Sequence, residues 1–195
     1  ISNFFAWQIM KLMSISEKQN LQKIISLQAY YSLVGRDLEY ETIPVCLDQK
    51  LGIIVWSPLH GGILSGKYRK GKKWPWGTRI KGEGQHLPYD VERGEKILSV
   101  IEKISGKRNA AMSQIALNYA LQKPGITSVI IGARDEKQLL ENIRTSEWKL
   151  SNDEMKKLAE VSEPPRIYPL WYFDIFKKKR MERYFSILQK QEVKD

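Results

Sequence analysis

The sequence is poor in the residues that build disulfide and metal sites. Its 195 residues include one cysteine, Cys46, and two histidines, His60 and His86. A lone cysteine excludes an internal disulfide framework and fits a reducing compartment. We expect Cys46 to be a small buried residue on a helix, and we predict a cytoplasmic protein without a metal site.

Long apolar runs and targeting signals are also missing. No apolar stretch approaches the roughly 18 residues of a membrane span. The chain starts Ile1-Ser2-Asn3-Phe4-Phe5, without a basic segment ahead of an apolar one, so we expect no signal peptide and no membrane partner. No internal repeat with a period of about 20 to 50 residues appears. The composition, 42% hydrophobic and 28% charged, is that of a soluble globular protein.

Acidic residues are the minority among the charged ones. The 32 Lys and Arg against 22 Asp and Glu give a net charge of +10, and the excess is concentrated in residues 67–81, among tryptophans, and in residues 177–180. Basic residues interleaved with tryptophans fit nucleic acid, but no helix-turn-helix, zinc or RNA-binding signature accompanies them. We expect no nucleic-acid partner; the second run is equally well explained as a solvated face.

The hydrophobic periodicity and the turn residues between periodic segments predict alternating helices and strands. The predicted helices are 7–20, 41 or 43–50, 89–104, 113–122, 135–145 and 151–161, and the predicted strands are 24–28, 52–56 and 127–131. We expect a serine cap at Ser113 and a capping box from Ser151 to Glu154. Short, continuously apolar strands between helices predict a parallel sheet with covered faces.

The segment that follows the second strand is the most informative part of the chain. Residues 56–68 hold a tryptophan, a hydroxyl, a proline, three glycines and a lysine directly after an apolar strand. Exposed backbone N–H groups, a hydroxyl and an ammonium at one strand end are the parts of a phosphate site. A glycine-rich turn with a solvated lysine is the alternative. Because residues 67–81 directly follow this loop, a bound dinucleotide explains their positive charge more simply than a nucleic acid does.

This segment is one of five blocks that resemble the aldo-keto reductases. These are (β/α)8-barrel enzymes that reduce aldehydes and ketones with NADPH, and the likeness is greatest to their branch that includes the potassium-channel β subunits. The blocks follow the family's order from Ile1 to about Tyr172. They are Ser2-Asn3-Phe4, Leu27-Gln28-Ala29-Tyr30-Tyr31-Ser32-Leu33, Trp56 to Tyr68, Ser128-Val129-Ile130-Ile131-Gly132-Ala133-Arg134, and Gln138 with Glu141-Asn142.

The resemblance implies an α/β fold, the C-terminal half of a (β/α)8 TIM barrel with parallel strands and outer helices. A complete barrel has eight strands and typically about 250 residues, whereas we predict three strands and the end of a fourth at Ile1-Ser2-Asn3. We therefore expect a half-barrel over residues 1–172, a basic tail over 173–195, and an N-terminal half of the barrel as the missing partner.

The same resemblance implies a nicotinamide site at the carboxyl ends of the strands, the active face of such barrels. Ser2, Asn3 and Gln28 are expected to hydrogen-bond the carboxamide, which needs one donor and one acceptor. Trp56 is expected to stack on the nicotinamide ring. The alternatives are strand-end capping for the polar residues and a place in the core for Trp56.

The phosphates and the adenosine are assigned by the resemblance as well. The residues expected around the pyrophosphate are Ser57, Leu59, Gly61, Gly66 and Lys67, with Arg79 as a further clamp. At the last strand, Gly132 leads to Arg134, whose guanidinium can bind the adenosine 2′-phosphate through two hydrogen bonds. Gln138, Glu141 and Asn142 follow on the same side of the next helix, and Glu141 and Asn142 resemble the family residues that contact the adenine. Because a 2′-phosphate needs a cation and a ribose hydroxyl an acidic acceptor, Arg134 favours NADP(H) over NAD.

The family's proton-transfer residues, an Asp, a Tyr, a Lys and a His, belong to the first half of the barrel, and none of their motifs occurs here. His60 and His86 lie in glycine-rich loops, and Tyr30-Tyr31 lies on a different strand from the family's tyrosine. We therefore assign no catalytic residue and expect this chain alone to be inactive. The expected function of the complete protein is NADP(H)-dependent reduction of a small carbonyl substrate. The alternative is a non-catalytic NADP(H)-binding regulatory subunit or scaffold.

Overall fold

The computed structural model describes residues 1–69, 87–88 and 90–177. The chain divides into two compact units, Ile1–Glu163 and Pro164–Asp195. The helices of the first unit are α1 (Ala6–Lys18), α2 (Thr42–Asp48), α3 (Val91–Arg108), α4 (Met112–Leu121), α5 (Glu136–Ile143) and α6 (Asn152–Val161), with short 3-10 helices at Asp37–Glu39, His60–Ser65 and Arg144–Glu147. In the second unit, residues 170–177 are helical.

One parallel sheet organises the first unit. Its strands lie in the order β1 (Ser26–Tyr30), β2 (Gly52–Trp56) and β3 (Ile126–Val129). Ser2 adds a single parallel bridge to Gln28, so the first residues run beside β1. Each connection between neighbouring strands contains at least one helix, as parallel pairing requires. The predicted α/β class is confirmed, and the arrangement is consistent with part of a (β/α)8 barrel.

The two faces of the sheet differ in burial. Successive side chains of a strand point to opposite faces, and Leu27, Ala29, Ile53 and Val55 are buried at 0–3% exposure against the helices. Apolar side chains from α1, α3, α4 and α6 complete this core. The opposite face carries Gln28, Tyr30, Ile54 and Trp56, which are partly or fully exposed. The helices thus cover one face of the sheet, whereas the side chains of the other face stay partly or fully accessible.

Helix starts follow the capping chemistry of the sequence in most places. The carboxylate of Asp135 accepts the backbone N–H of Gln138 at 2.8 Å, and Ser151 forms the predicted capping box with Glu154. The start of α4 differs from the prediction, because the helix begins at Met112 rather than after a serine cap at Ser113. There the side-chain oxygen of Gln114 accepts the backbone N–H of Ala111 at 3.0 Å, which replaces the expected hydroxyl.

Two of the three strands, β1 and β3, are displaced by one or two residues from their predicted positions. β1 runs from Ser26 to Tyr30, so Gln28 lies at its centre instead of at its end. β3 starts at Ile126, although the N–H of Ile130 still donates to Val55 O at 2.7 Å. Apolar runs longer than the paired segment leave strand ends undetermined, because pairing with a neighbour decides where a strand starts.

A buried ionic network joins the loop after β1 to the end of α6. Arg36 is 6% exposed and donates from Nε and Nη2 to the carboxylate of Glu39 at 2.8 and 2.9 Å. Its Nη1 donates to Ala159 O at 2.7 Å and to Ser162 Oγ at 2.8 Å. Tyr31 donates its hydroxyl to Glu39 at 2.5 Å. All three guanidinium nitrogens of Arg36 donate hydrogen bonds, and such pairing is the condition for a buried charge to be tolerated.

Two classes of feature are missing from the part of the chain that the structure describes. None of its helices combines the length and apolar character needed to cross a membrane. Nor do three or more metal-ligating side chains come together anywhere within it.

Candidate functional site

A cleft of about 480 Å3 lies where β2 and β3 end. Its walls come from the loop after β2, the start of α4 and the connection from β3 into α5. The predicted residues that line it are Trp56, Ser57, Leu59, Gly61, Lys67, Gly132, Arg134, Gln138 and Glu141. Two segments that are far apart in sequence thus meet at one edge of the sheet, as expected for the carboxyl ends of parallel strands.

The charged residues of the cleft lie on both walls. Among the described lining residues, Lys67 and Arg134 are basic and Glu141 is acidic. The backbone N–H of Arg134 donates to Oε1 of Gln138 at 3.0 Å, and Gln138 in turn is held by the Asp135 cap at the start of α5. This arrangement fixes the backbone of Arg134 and leaves its guanidinium exposed at the rim. The cleft therefore offers two cations from opposite walls to an anionic ligand.

The glycine loop uses its own backbone donors. The N–H of Gly61 donates to Ser57 Oγ at 3.1 Å, and those of Gly62 and Gly66 donate to Leu59 O and Ile63 O at 3.0 Å. Ser57 Oγ thus satisfies the N–H of Gly61, and backbone carbonyls satisfy those of Gly62 and Gly66. A pyrophosphate contact from the N–H groups of this loop stays a prediction. The hydroxyl hydrogen of Ser57 and the ammonium of Lys67 are further donors on this wall.

Gly66 does not line the cleft. Its lack of a side chain matters because it lets the loop pack closely against α4. Its φ is +77°, and a Cβ there would lie 2.6 Å from Sδ of Met112. The loop therefore packs against the start of α4 at a distance that only glycine allows. Lys67 follows directly, so this close approach sets where its side chain enters the cleft.

The residues predicted for the nicotinamide end lie next to one another. Nε1 of Trp56 donates to Oδ1 of Asn3 at 2.9 Å, and Nδ2 of Asn3 donates to Ser2 Oγ at 3.0 Å. The backbone N–H of Asn3 donates to Gln28 O at 2.9 Å. Gln28 is exposed on the same face of β1 as Tyr30. These four residues line the sheet edge beside the cleft and form a continuous polar surface around one indole ring.

Asn142 does not reach the cleft. Its side chain is 4% exposed, and neither of its amide atoms has a hydrogen-bond partner among the described residues. An α-helix turns by about 100° per residue, so Glu141 faces the cleft while Asn142 turns toward the interior. Glu141 is itself held from α4, whose Ser113 hydroxyl donates to Oε1 at 3.3 Å.

The basic segment after the loop is only partly described. Arg79 lies outside the described residues. Arg69 is engaged away from the cleft, since it donates to Glu95 at 3.2 Å, to Glu102 at 2.5 Å and to the hydroxyl of Ser99 at 3.0 Å. This part of the positive charge therefore ties the end of the glycine loop to α3.

Two residues without a sequence-based assignment lie beside the cleft. The hydroxyl of Tyr30 hydrogen-bonds His60 Nδ1 and lies 2.8 Å from Ser32 Oγ. Burial lowers the pKa of His60 to about 4, against a hydrogen bond with the backbone of Leu87, and burial raises the pKa of Tyr30 to about 12. The available signal was their placement: Tyr30 shares a strand face with Gln28, and His60 lies inside the glycine motif.

Comparison with known proteins agrees with this fold. The Aldo/keto reductase family model matches residues 1–163. A protein of Bacillus subtilis (strain 168) described as uncharacterized oxidoreductase YrpG is 30% identical over 164 residues, which cover 84% of this chain and 48% of that protein. Versiconal hemiacetal acetate reductase of Aspergillus parasiticus is 28% identical over 176 residues, covering 86% and 49%.

A putative voltage-gated potassium channel subunit beta of Schizosaccharomyces pombe (strain 972 / ATCC 24843) is 32% identical over 168 residues, covering 82% of this chain and 48% of that protein. The fold and the cleft define an α/β protein of the parallel-sheet class with a cleft at one edge of its sheet. The family match is more specific: the chain belongs to the aldo/keto reductase family, and the predicted resemblance is confirmed. It spans about half the length of the curated relatives it matches.

Proposed function

We propose that this chain is the NADP(H)-binding half of an oxidoreductase that reduces an aldehyde or ketone to an alcohol. The observation that carries the proposal is that Trp56, Lys67 and Arg134 line one cleft. NADP has a flat nicotinamide ring at one end, a pyrophosphate in the middle and an adenosine 2′-phosphate toward the other end. An aromatic plane suits the ring, and cations suit the two phosphate positions.

The residues present fit such a cofactor. The cleft volume, about 480 Å3, lies within the roughly 300–1,000 Å3 of ligand pockets. Ser57 and Lys67 would hold the pyrophosphate, and Arg134 would hold the 2′-phosphate in a bidentate, charge-assisted contact. Trp56 would support the ring, while Gln28 and the amide of Asn3 would orient its carboxamide. Glu141 and Gln138 lie on the side of the cleft where the adenine would extend.

The reduction needs a hydride and a proton. NADPH supplies the hydride to the carbonyl carbon, and a general acid supplies the proton to the carbonyl oxygen. Tyr30 is a poor acid for this step, since its hydroxyl is already hydrogen-bonded within a buried group and its pKa is raised to about 12. We propose that the acid is a tyrosine from a segment outside these 195 residues, and that this chain alone is inactive.

The sheet supports the idea of a second half. β1, with the short bridge at Ser2, and β3 form its two edges in the described part of the chain, and one of its faces lacks a helical cover. We propose that the N-terminal half of a barrel closes this sheet and brings the carbonyl site. Neither a nucleic acid nor a membrane is needed in this scheme, and a cytoplasmic location stays a prediction from cysteine usage.

Cofactor titration tests the proposal. NADPH and NADH are titrated separately into the longest natural form of the protein that contains this chain, with tryptophan fluorescence as the readout. We expect saturable quenching by both and tighter binding of NADPH. Equal dissociation constants would contradict the NADP(H) assignment, and absence of quenching and of calorimetric heat would contradict cofactor binding altogether.

A non-catalytic regulatory subunit is the second candidate. It is favoured by the similarity to a putative potassium channel subunit beta together with the lack of an acid–base motif in this chain. The two candidates differ in one measurement, because both bind NADPH but only a reductase consumes it with an aldehyde present. Loss of NADPH absorbance in the complete protein would favour the enzyme, and stable binding without turnover would favour the regulatory subunit.

A further inference from the structure

His60 is a buried polar residue of the glycine loop. It is 3% exposed, although it lies between the cleft-lining residues Leu59 and Gly61. Its φ is +50°, and that of Ser57 is +52°. Left-handed conformations are uncommon for residues other than glycine and persist only where the surroundings enforce them. The loop therefore turns at His60 because something holds that side chain inward.

The hydrogen bonds of His60 give the reason. Burial keeps the imidazole neutral near pH 7 by lowering its pKa to about 4, and a neutral imidazole has one donor and one acceptor nitrogen. A hydrogen bond with the backbone of Leu87 opposes this shift. Nδ1 and the Tyr30 hydroxyl share one hydrogen bond, whose direction follows from the imidazole tautomer, and the same hydroxyl lies 2.8 Å from Ser32 Oγ.

Tyr30 also packs against the residue expected under the nicotinamide. Its ring centroid lies 5.2 Å from that of Trp56 at an interplanar angle of 45°. On another side it touches Gly35 so closely that a Cβ there would lie 2.3 Å from the ring. Tyr30 therefore has little freedom, and it joins the aromatic plane at the end of β2 to the turn of the glycine loop.

We propose that Tyr30 and His60 are positioning residues, whose mutual hydrogen bond sets the glycine loop at a fixed distance and angle from the Trp56 ring. The inference rests on the proposed function, because the distance it fixes is the one between the nicotinamide and pyrophosphate sites. His60 also links the loop to Leu87, where the described chain resumes after residues 70–86. The pair would act equally on NADPH and NADH, since both carry the same nicotinamide and pyrophosphate.

Conservative variants test the pair. Tyr30→Phe removes only the hydroxyl oxygen, and His60→Leu removes both ring nitrogens. We expect each to weaken NADPH and NADH binding by about three- to tenfold, the range that one net hydrogen bond provides. His60→Asn keeps an acceptor near the Nδ1 position and tolerates positive φ, so it should restore most of the affinity. The double variant should bind NADPH no more weakly than the weaker-binding single variant, because both substitutions remove the same hydrogen bond.

Tyr31→Phe is the matched control. Tyr31 is a buried neighbour whose hydroxyl donates to Glu39 and not to the loop, so its removal should lower the unfolding temperature without changing cofactor affinity. Affinities are measured by calorimetry in the longest natural form of the protein, with circular dichroism to verify folding. If His60→Leu does not fold, the Tyr30→Phe result decides.

The outcomes separate the inference from the function it rests on. The positioning role would be overturned if Tyr30→Phe bound NADPH within twofold of the wild type, whatever the stability of the variant. It would also be overturned if Tyr31→Phe lost as much affinity as Tyr30→Phe. A wild-type protein that fails to bind NADPH overturns both the proposed function and this inference. A loss in NADPH affinity alone, with NADH affinity unchanged, would place the effect at the 2′-phosphate and also overturn it.

Discussion

The indole Nε1 of Trp56 donates a hydrogen bond of 2.9 Å to Oδ1 of Asn3. This bond connects the end of β2 to the first residues of the chain and fixes the plane of the indole. Asn3 therefore orients the aromatic platform in addition to its expected contact with the carboxamide. Its oxygen has a second lone pair for that contact, and Gln28 beside it supplies a free amide on the same face.

Replacement of Trp56 should remove the signal of cofactor binding. We expect Trp56→Ala to weaken NADPH binding by about 1 kcal/mol or somewhat more, the contribution of an aromatic stacking pair, and to abolish most cofactor-induced quenching. Trp7→Phe is the control, because Trp7 is 63% exposed on α1. Quenching that survives in Trp56→Ala and disappears when Trp148 or Trp171 is replaced would refute the stacking role.

Arg134 should determine the preference for NADPH. Arg134→Ala removes the charge-assisted contact with the 2′-phosphate, worth roughly 1.5–3 kcal/mol per hydrogen bond, and should erase a tenfold or larger preference for NADPH over NADH. Lys137→Ala removes the same charge from the first turn of α5, outside the cleft that Arg134 lines, and should keep the preference. Both affinities are measured by fluorescence titration. A preference that persists in Arg134→Ala would assign the 2′-phosphate elsewhere.

The isolated 195-residue chain should not behave as an active monomer. Its sheet has two edges in the described region, and large apolar side chains such as Ile25, which is 77% exposed, flank one of them. Open edges and apolar patches recruit other chains. We expect self-association in analytical ultracentrifugation and no NADPH loss with simple aldehydes. Joining an N-terminal half that carries the family's Asp, Tyr, Lys and His should restore monomeric behaviour and NADPH-dependent reduction. A compact, active monomer of this chain would contradict the proposal.

Acid should weaken the fold through Glu39. Burial alone would raise the pKa of this carboxyl, but hydrogen bonds from Arg36 and Tyr31 and the charges of Arg36 and Lys123 outweigh it and lower the pKa from 4.5 to about 2. The stabilisation is therefore complete above pH 4.5 and is lost as the pH falls through about 2. It amounts to roughly 3 kcal/mol at most.

The variant Glu39→Gln isolates this effect. It leaves the buried Arg36 without its counter-ion, so it should lower the free energy of unfolding at pH 7 by about 3–5 kcal/mol and flatten the dependence on pH between 4.5 and 2. Glu160→Gln is the control, since Glu160 is 64% exposed in a 4.0 Å pair. The free energies come from urea unfolding at several pH values. Identical acid profiles for Glu39→Gln and the wild type would show that Glu39 does not carry the linkage.

The sequence was sufficient for the elements and for their order. Apolar runs such as Gly52–Trp56 end where glycine and proline follow, and β2 matches its prediction residue for residue. Caps such as Ser151 define helix starts by chemistry that acts within four residues. Because parallel strands align their carboxyl ends, the meeting of Lys67 with Arg134 also followed from the predicted order of elements.

The rest depends on distances that a sequence does not contain. Whether Asn142 faces the cleft or the interior is decided by the rotation of α5 against α4, which rests on packing. Whether Gly61 offers its N–H to a ligand is decided by the conformation of Ser57, whose hydroxyl oxygen accepts that hydrogen. The pairing of Tyr30 with His60 joins residues 30 positions apart, and it becomes visible only when two strands and a loop are in place.

The network around Arg36 also determines when the chain can finish folding. The guanidinium receives its hydrogen-bond acceptors from Ala159 and Ser162, which follow it by 123 and 126 residues. During synthesis at about 5–20 residues per second, the segment around β1 must wait several seconds or more before α6 emerges. Until then a cation destined for the interior lacks two of its partners, so β1 and its loop reach their final form late. A nascent chain stalled before α6 would therefore have an incompletely paired Arg36, even though all three strands had already been made.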